Sequence, residues 1–217
     1  MTDFATARVA MVDTQVRPSD VTRISVIQSM LAVPREEYVP AEKRPIAYLG
    51  EHMLLAPGRV MLDPRVFAKM LDALDLQPGQ RVLDIGCGLG YSTAVMARIA
   101  GSVVGLEENP DLAQDAASRL AAQGVGNAAV EQGRLAAGLP QHAAFDAIIL
   151  QGGIETIPDT LTEQLAMGGR IIAIFTEGQA GQVRMGLRGV NGTSWRRIFD
   201  ATAPLLPGFA RSKAFEF

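Results

Sequence analysis

The chain is poor in the residues that build metal and disulfide sites. One cysteine, Cys87, and two widely separated histidines, His52 and His142, are spread over 217 residues. That excludes a disulfide framework and a cysteine-based zinc site, and the histidines make a poor metal set, so no metal is expected. Basic charge is scarce too. Twenty Lys and Arg against 23 Asp and Glu give a net charge of −3, which argues against a nucleic-acid or anionic-membrane binder and favours a neutral or polar partner. No apolar run reaches the roughly 20 residues of a membrane span, and the opening MTDFATARVAMVDTQV lacks the basic region and apolar core of a secretory signal. A cytoplasmic protein without a membrane partner is expected. There are no repeats or low-complexity tracts, and the length predicts one domain over 1–217 that buries its core without staples.

What is present, from about residue 76, is an alternation of strand and helix signals. RVLDIG (81–86) and SVVGLE (102–107) read as buried strands. YSTAVMARIAG (91–101) has helical spacing, and NPDLAQDAASRLAAQG (109–124) opens with Asn109 as a cap and Pro110 in the first turn. Two βα units in succession imply a parallel sheet. NAAVEQG (127–133), FDAIILQGG (145–153) and RIIAIF (170–175) add three strands, and TIPDTLTEQLAMGG (156–169) reads as a helix closed by Gly168-Gly169. QVRMGLRGV and TSWRRIFDA flank Asn191-Gly192, a strong hairpin signal, so an antiparallel pair should finish the sheet. Residues 1–75, broken by Pro18, Pro34, Pro40, Pro45 and Pro57, show no comparable strands and read as a helical lid. The expected fold class is therefore α/β: a doubly wound, Rossmann-like sheet over 76–217, mostly parallel with a C-terminal antiparallel hairpin, under an N-terminal helical lid.

In such a sheet the ligand crevice lies beyond the carboxyl ends of the strands, with the loop after the first strand as its floor. Gly86, Gly88 and Gly90 of V-L-D-I-G-C-G-L-G-Y-S-T (82–93) occupy that floor, where glycine lets a ligand approach the backbone closely. The dinucleotide fingerprint needs a small residue after G-x-G-x-x, and here that residue is Tyr91. The spacing is G-x-G-x-G instead, with Asp84 inside the strand and Glu107 at the end of the second strand, where a carboxylate can accept both hydroxyls of a ribose. That combination resembles the class I S-adenosylmethionine methyltransferases. The resemblance implies S-adenosylmethionine as cofactor, suits a floor without Lys or Arg between 82 and 97, and predicts no NADH binding.

Further segments narrow the resemblance. M-L-A-V-P-R-E-E-Y-V-P (30–40), A-Y-L-G-E (47–51), G-R-V-M-L-D-P (58–64), F-D-A-I-I (145–149), I-P-D-T-L-T-E-Q-L-A-M-G-G-R (157–170) and A-P-L-L-P-G (203–208) stand in the order and at the spacings of protein-L-isoaspartate O-methyltransferases. The resemblance runs from about residue 12 to 208, and the A-V-P-R-E-x-Y-V-P segment is its most specific part because it lies outside the shared cofactor fold. It implies methylation of the α-carboxylate of isoaspartyl residues in damaged proteins, a repair reaction. A carboxylate is already an adequate nucleophile toward a sulfonium methyl, so alignment and exclusion of water suffice and no general base is required.

Departures from the family pattern fall on the substrate side and the adenine rim of the expected site, while the cofactor loop is kept. Between Gly58 and Pro64 the family carries threonine and serine hydroxyls at the transfer site. Val60 and Leu62 stand there now, beside Met61, with Arg59 and Asp63 replacing glutamines. No catalytic residue is therefore assigned. After the third strand the family's Gly-Asp, whose aspartate contacts adenine, appears as Gly133-Arg134, and guanidinium cannot accept that hydrogen bond. The run after the fourth strand is Gln151-Gly152-Gly153-Ile154-Glu155. The resemblance thus implies Asp84, Gly86, Cys87, Gly88, Gly90, Glu107, Gly133, Arg134 and Gln151 toward the cofactor, and Arg59, Val60, Met61, Leu62 and Gly152 toward the acceptor. Plainer roles stand beside these: Cys87 as a small packing residue in the loop, Asp84 as a residue that orients it, Arg59 and Arg65 as solvated charges. Two rival readings stay open, a methyltransferase of this ancestry acting on another small-molecule or protein acceptor, and a non-catalytic descendant that binds cofactor or partner.

Overall fold

The computed structural model describes residues 3–178 and 180–211. The outermost residues of the 1–217 reading, 1–2 and 212–217, lie outside the described residues. The chain begins with α1 (Phe4–Met11), whose N-cap Asp3 accepts from the amides of Ala5 and Thr6, and continues through a π-turn and short 3₁₀ turns into α2 (Ile24–Ala32). A two-stranded hairpin follows, β1 (Met53–Ala56) and β2 (Arg59–Met61), joined through Pro57 and Gly58, the latter at φ 70°. The expectation that residues 1–75 hold no strands is corrected here. These strands are only four and three residues long, too short for a visible period, and their register shifts between Leu54 and Ala56. Helix α3 (Pro64–Leu74) comes next. Asp63 caps it by accepting from the Arg65 and Val66 amides, with Pro64 at the first position.

The main sheet is built from β3 (Arg81–Ile85), β4 (Ser102–Glu107), β5 (Ala128–Gln132), β6 (Phe145–Ile154), β7 (Leu165–Glu177), β8 (Ala180–Gly189) and β9 (Gly192–Asp200), in the order β5-β4-β3-β6-β7-β8-β9. The first five are parallel, and β8 and β9 close the sheet antiparallel. Alternation does the sorting: Val82, Val103, Ala147, Ile149, Ile172 and Ile174 face one core with α2, α3 and the helix α4 (Tyr91–Ala97). Leu83, Ile85, Leu106, Ile148, Leu150 and Ile171 face a second core, closed by Leu161, Leu206 and Phe209. Helix α5 (Pro110–Ala122) has the expected Asn109 cap, accepting from the Asp111 and Leu112 amides.

Two helices are shorter than the sequence suggests. Helix α4 stops at Ala97. The helix expected over 156–169 shrinks to α6 (Asp159–Thr162), and Leu165–Gly169 joins β7 instead. Gly168 and Gly169 form an irregularity within that strand between the pairs Phe145↔Leu165 and Ala147↔Arg170, so they mark a bulge where a helix cap was expected. A β-carbon on Gly169 would lie 2.8 Å from the Ala166 carbonyl oxygen and 3.0 Å from that of Phe145, which is why both partners can close in. The chain then returns over the sheet: Pro204 O accepts from Gly153 N, and Leu206 N donates to Gly153 O, both at 2.8 Å. This C-terminal strap and the β1–β2 hairpin both end above the carboxyl ends of β3 and β6.

Candidate functional site

The strand order reverses at β3, which places the β3–α4 loop at the switch point of the sheet. Gly86, Gly88 and Gly90 take φ of 78°, 56° and 91°, values that explain glycine in each place. The loop is closed underneath by Gly86 and Cys87 amides donating to Leu106 O and by Gly90 N donating to Cys87 O. Gly90 caps α4, and a β-carbon on it would lie 3.4 Å from Ala116 Cβ and Leu120 Cγ of α5, so it serves helix packing. Cys87 is buried, its thiol pushed well above its ordinary pKa by burial and by the Asp84 and Glu107 carboxylates, and it stays protonated.

Asp84 is fully buried and holds three elements together. Its carboxylate accepts from Ser92 Oγ at 2.6 Å, Thr93 Oγ1 at 2.7 Å and Gln151 Nε2 at 2.8 Å. Strand β3, helix α4 and strand β6 meet on one side chain. Burial raises its pKa to about 6, against the lowering pull of the three donors.

Glu107 lies where the sequence put it, at the end of β4, and it is wholly buried. It is not free. Its Oε1 accepts from Arg59 Nε at 3.0 Å and Nη2 at 2.9 Å, and from the Glu108 and Asn109 amides at 2.9 and 3.0 Å. Oε2 accepts from Gly88 N at 3.0 Å. The Arg59 side chain is 5 % exposed and its Nη1 has no partner among the described residues. Gly133 N donates to the Glu107 carbonyl, which sets Gly133 beside it, while Arg134 turns out to solvent.

The acceptor side is a wall. Val60, Met61 and Leu62, at 7 %, 7 % and 2 % exposure, face a cavity completed by Tyr38, Leu55, Phe67, Tyr91, Gly86, Cys87 and Gln151. Behind it, Arg35 is completely buried. Its Nε donates to Ala47 O and its Nη2 to Leu62 O, both at 2.8 Å, and the guanidinium lies 4.9 Å from the Tyr91 ring centre. Sequence reasoning quoted Arg35 only as part of a motif. Its job is visible here: it ties the 30–40 segment to the 58–64 segment, which explains physically why the two occur together. His52, a poor metal candidate in the sequence, joins the same assembly. Its Nδ1 accepts from Asp63 N at 2.9 Å, leaving Nε2–H to donate to Thr202 O at 2.7 Å. Arg65 is exposed and takes no part.

Three side chains cover the floor. A β-carbon on Gly88 would lie 2.5 Å from Leu55 Cδ1, and one on Gly86 would lie 3.3 Å from Leu206 Cδ2 and 3.7 Å from Arg59 Nη1. Leu55 is the residue at the β1 irregularity, where a bulge redirects a side chain. Gly152, expected toward the acceptor, lies under Leu206, whose Cδ2 would be 2.6 Å from an added β-carbon. Neither Leu55 nor Leu206 was picked out from sequence, and the Pro57-Gly58 turn pair is the signal that could have announced the hairpin carrying Leu55. The cavity that remains measures about 10 Å³, room for one water molecule. A nucleoside cofactor needs several hundred. The Glu107 carboxylate suits the hydroxyls of a ribose as acceptor, but the closed arrangement does not fit the cofactor.

A doubly wound sheet with this glycine floor, an acid closing the second strand and a terminal antiparallel pair defines a class I methyltransferase fold. The chain belongs to the protein-L-isoaspartate(D-aspartate) O-methyltransferase family, whose model it matches over residues 8–192. It is 40 % identical over 181 residues to protein-L-isoaspartate O-methyltransferase 1 of Rhodopseudomonas palustris (strain HaA2), covering 83 % of this chain and 74 % of that protein. It is 36 % identical over 210 residues to the protein of that name from Roseiflexus castenholzii, covering 96 % and 95 %. Among solved structures, a Plasmodium falciparum chain described under the same family name and bound to S-adenosyl-L-homocysteine superposes with a TM-score of 0.78. It is 22 % identical and covers 95 % of this chain and 99 % of its own. That likeness speaks for the fold. The family's enzymes are S-adenosylmethionine-dependent and act on damaged proteins, and among the described residues no helix is long and apolar enough to cross a membrane.

Proposed function

We propose that this chain methylates a carboxylate from S-adenosylmethionine, with isoaspartyl residues of damaged proteins as the acceptor class, and that its altered acceptor wall makes it a poor catalyst on ordinary isoaspartyl peptides. Family membership supplies the activity. In this reading Glu107 serves the ribose, Gly86, Cys87 and Gly88 form the floor, Asp84 and Gln151 hold the floor in place, and Gly133 with Arg134 borders the adenine side. Residues 1–75, through the β1–β2 hairpin, act as the lid of the one unit. Gly90 serves helix packing, and Gly152 makes room for the strap. A cytoplasmic setting belongs to the same proposal and rests on the single free thiol.

The observation that carries the acceptor reading is the wall of Val60, Met61 and Leu62 on the cavity beside Gly86 and Gln151. A carboxylate desolvated against such a wall without replacement donors loses several kcal/mol. The nearby Ser92 hydroxyl already donates to Asp84. The test is methyl transfer to an isoaspartyl peptide from labelled cofactor, for the parent and for a Val60→Thr, Leu62→Ser variant. The expected result is weak parent turnover, about a hundredfold or more below an ordinary family member, with partial recovery in the variant. Parent turnover within about tenfold of a relative would show the hydroxyls to be dispensable. Inactivity in both, with cofactor bound, would shift the acceptor to a less polar molecule.

A further inference from the structure

The carboxylate best placed for a ribose is already occupied by the chain's own arginine. Arg59 reaches Glu107 from β2, across the glycine floor, and presents two N–H groups to the same oxygen. A ribose diol is a pair of neutral donors, whereas the guanidinium adds the attraction of a full positive charge to its two hydrogen bonds, in a site from which water is excluded. In a direct contest for Oε1 the arginine wins. We infer that Arg59 is a latch: it holds the β1–β2 hairpin over the glycine loop and excludes the cofactor until it is displaced from Glu107. This rests on the reading of Glu107 as the ribose acceptor.

Two independent features hold the closed state, and a third favours its release. Leu55 of β1 sits on Gly88, at the spot where a ligand would touch the loop backbone. The hairpin's far end is fastened by Lys43 Nζ donating to Leu54 O and by His52 bridging Asp63 N and Thr202 O. Arg59 Nη1 is buried with no partner among the described residues, so one donor of the latch goes unsatisfied while it is closed and regains water when the side chain turns out. The two ions depend on the pair unequally: Glu107 keeps the Gly88, Glu108 and Asn109 amides as donors without it, whereas Arg59 has Glu107 as its side-chain partner among the described residues, so the latch is either closed on Glu107 or turned out to water.

Titration calorimetry with S-adenosylhomocysteine tests this without turnover. Arg59→Gln leaves Glu107 the Gly88, Glu108 and Asn109 amides as donors, and should tighten binding over the parent by about tenfold or more. Arg59→Lys keeps a cation beside Glu107 and should stay near the parent. In Arg59→Gln, adding Glu107→Ala should abolish the gain. Equal affinity of parent and Arg59→Gln overturns the latch while leaving the cofactor reading intact. No binding by the parent, the Gln variant or a Leu55→Ala, Arg59→Gln double variant overturns the cofactor reading and the latch together. Should the Gln variant not fold, hydrogen exchange on the parent decides the matter. Saturating S-adenosylhomocysteine should strip protection from the amides of residues 53–61, and cofactor bound with that protection unchanged overturns the proposal.

Discussion

The glycine loop at 86–90 and the hairpin at 53–61 touch face to face, yet they obey different rules. The loop is fixed from below: its amides bond to Leu106, Asp84 ties its flanks to α4 and β6, and its glycines are set by φ. The hairpin is fixed from the side, by one buried ion pair to Glu107 and by Arg35 gripping the Leu62 carbonyl. The first has the glycines and the carboxylate of a ligand floor. The second brings Arg59 and Leu55 down on that floor and closes it.

The comparison breaks most severely at Arg35. Arg35→Ala leaves the Ala47 and Leu62 carbonyls without donors in a dry interior and opens a cavity, so a loss of about 4 kcal/mol in urea unfolding is expected. A loss under about 1 kcal/mol would mean that the hairpin is not anchored from behind.

Asp84 sharpens the loop's side of the comparison. Its native pKa, about 6, lies above its ordinary value of 3.8, so the native state holds the proton more tightly than the unfolded chain. The stabilisation is complete below about pH 4 and is lost as the pH rises through about 6, a swing of roughly 3 kcal/mol at about 1.4 kcal/mol per unit. Urea melts of parent and Asp84→Asn across pH 4 to 7 should show the parent losing up to that amount relative to the variant. Parallel pH profiles would contradict the assignment.

Gly88 reports on the contact between the two regions. Gly88→Ala meets both the left-handed backbone at φ 56° and Leu55, and should cost about 2 kcal/mol. In a Leu55→Ala background only the backbone part, about 1 kcal/mol, should remain. Additive effects would separate the hairpin from the loop. The smallest effect belongs to the far hairpin, where Gly192 sits at φ 104° with open space around it. Gly192→Ala should lower stability by about 1 kcal/mol through backbone strain alone, with no change in cofactor binding.

The sequence made the loop side legible and the hairpin side not, for a physical reason. Strands β3 and β4, the Asn109 cap and the Asn191-Gly192 turn each carry their signal in consecutive residues. Gly86, Gly88 and Glu107 announced themselves by spacing. The β1–β2 hairpin is six paired residues around Pro57-Gly58, below the length at which alternation can be seen, and its key contact lies 48 residues away at Glu107. Arg59 read more readily as a solvated charge than as a ligand of the substrate carboxylate, because sequence distance hides which carboxylate is near. It proved to be a carboxylate ligand, of the chain's own glutamate. The Gly168-Gly169 pair misled for a related reason, since a helix cap and a strand bulge both call for glycine at positive φ, and only the pairing of β6 with β7 distinguishes them.

A crystal structure of the chain grown with S-adenosylhomocysteine tests the central claim most directly. The account predicts a nucleoside whose ribose hydroxyls rest on Glu107, Arg59 turned away from Oε1, and Leu55 lifted off Gly88. Cofactor bound at the glycine loop with the Arg59–Glu107 pair and the Leu55 contact both intact would contradict it.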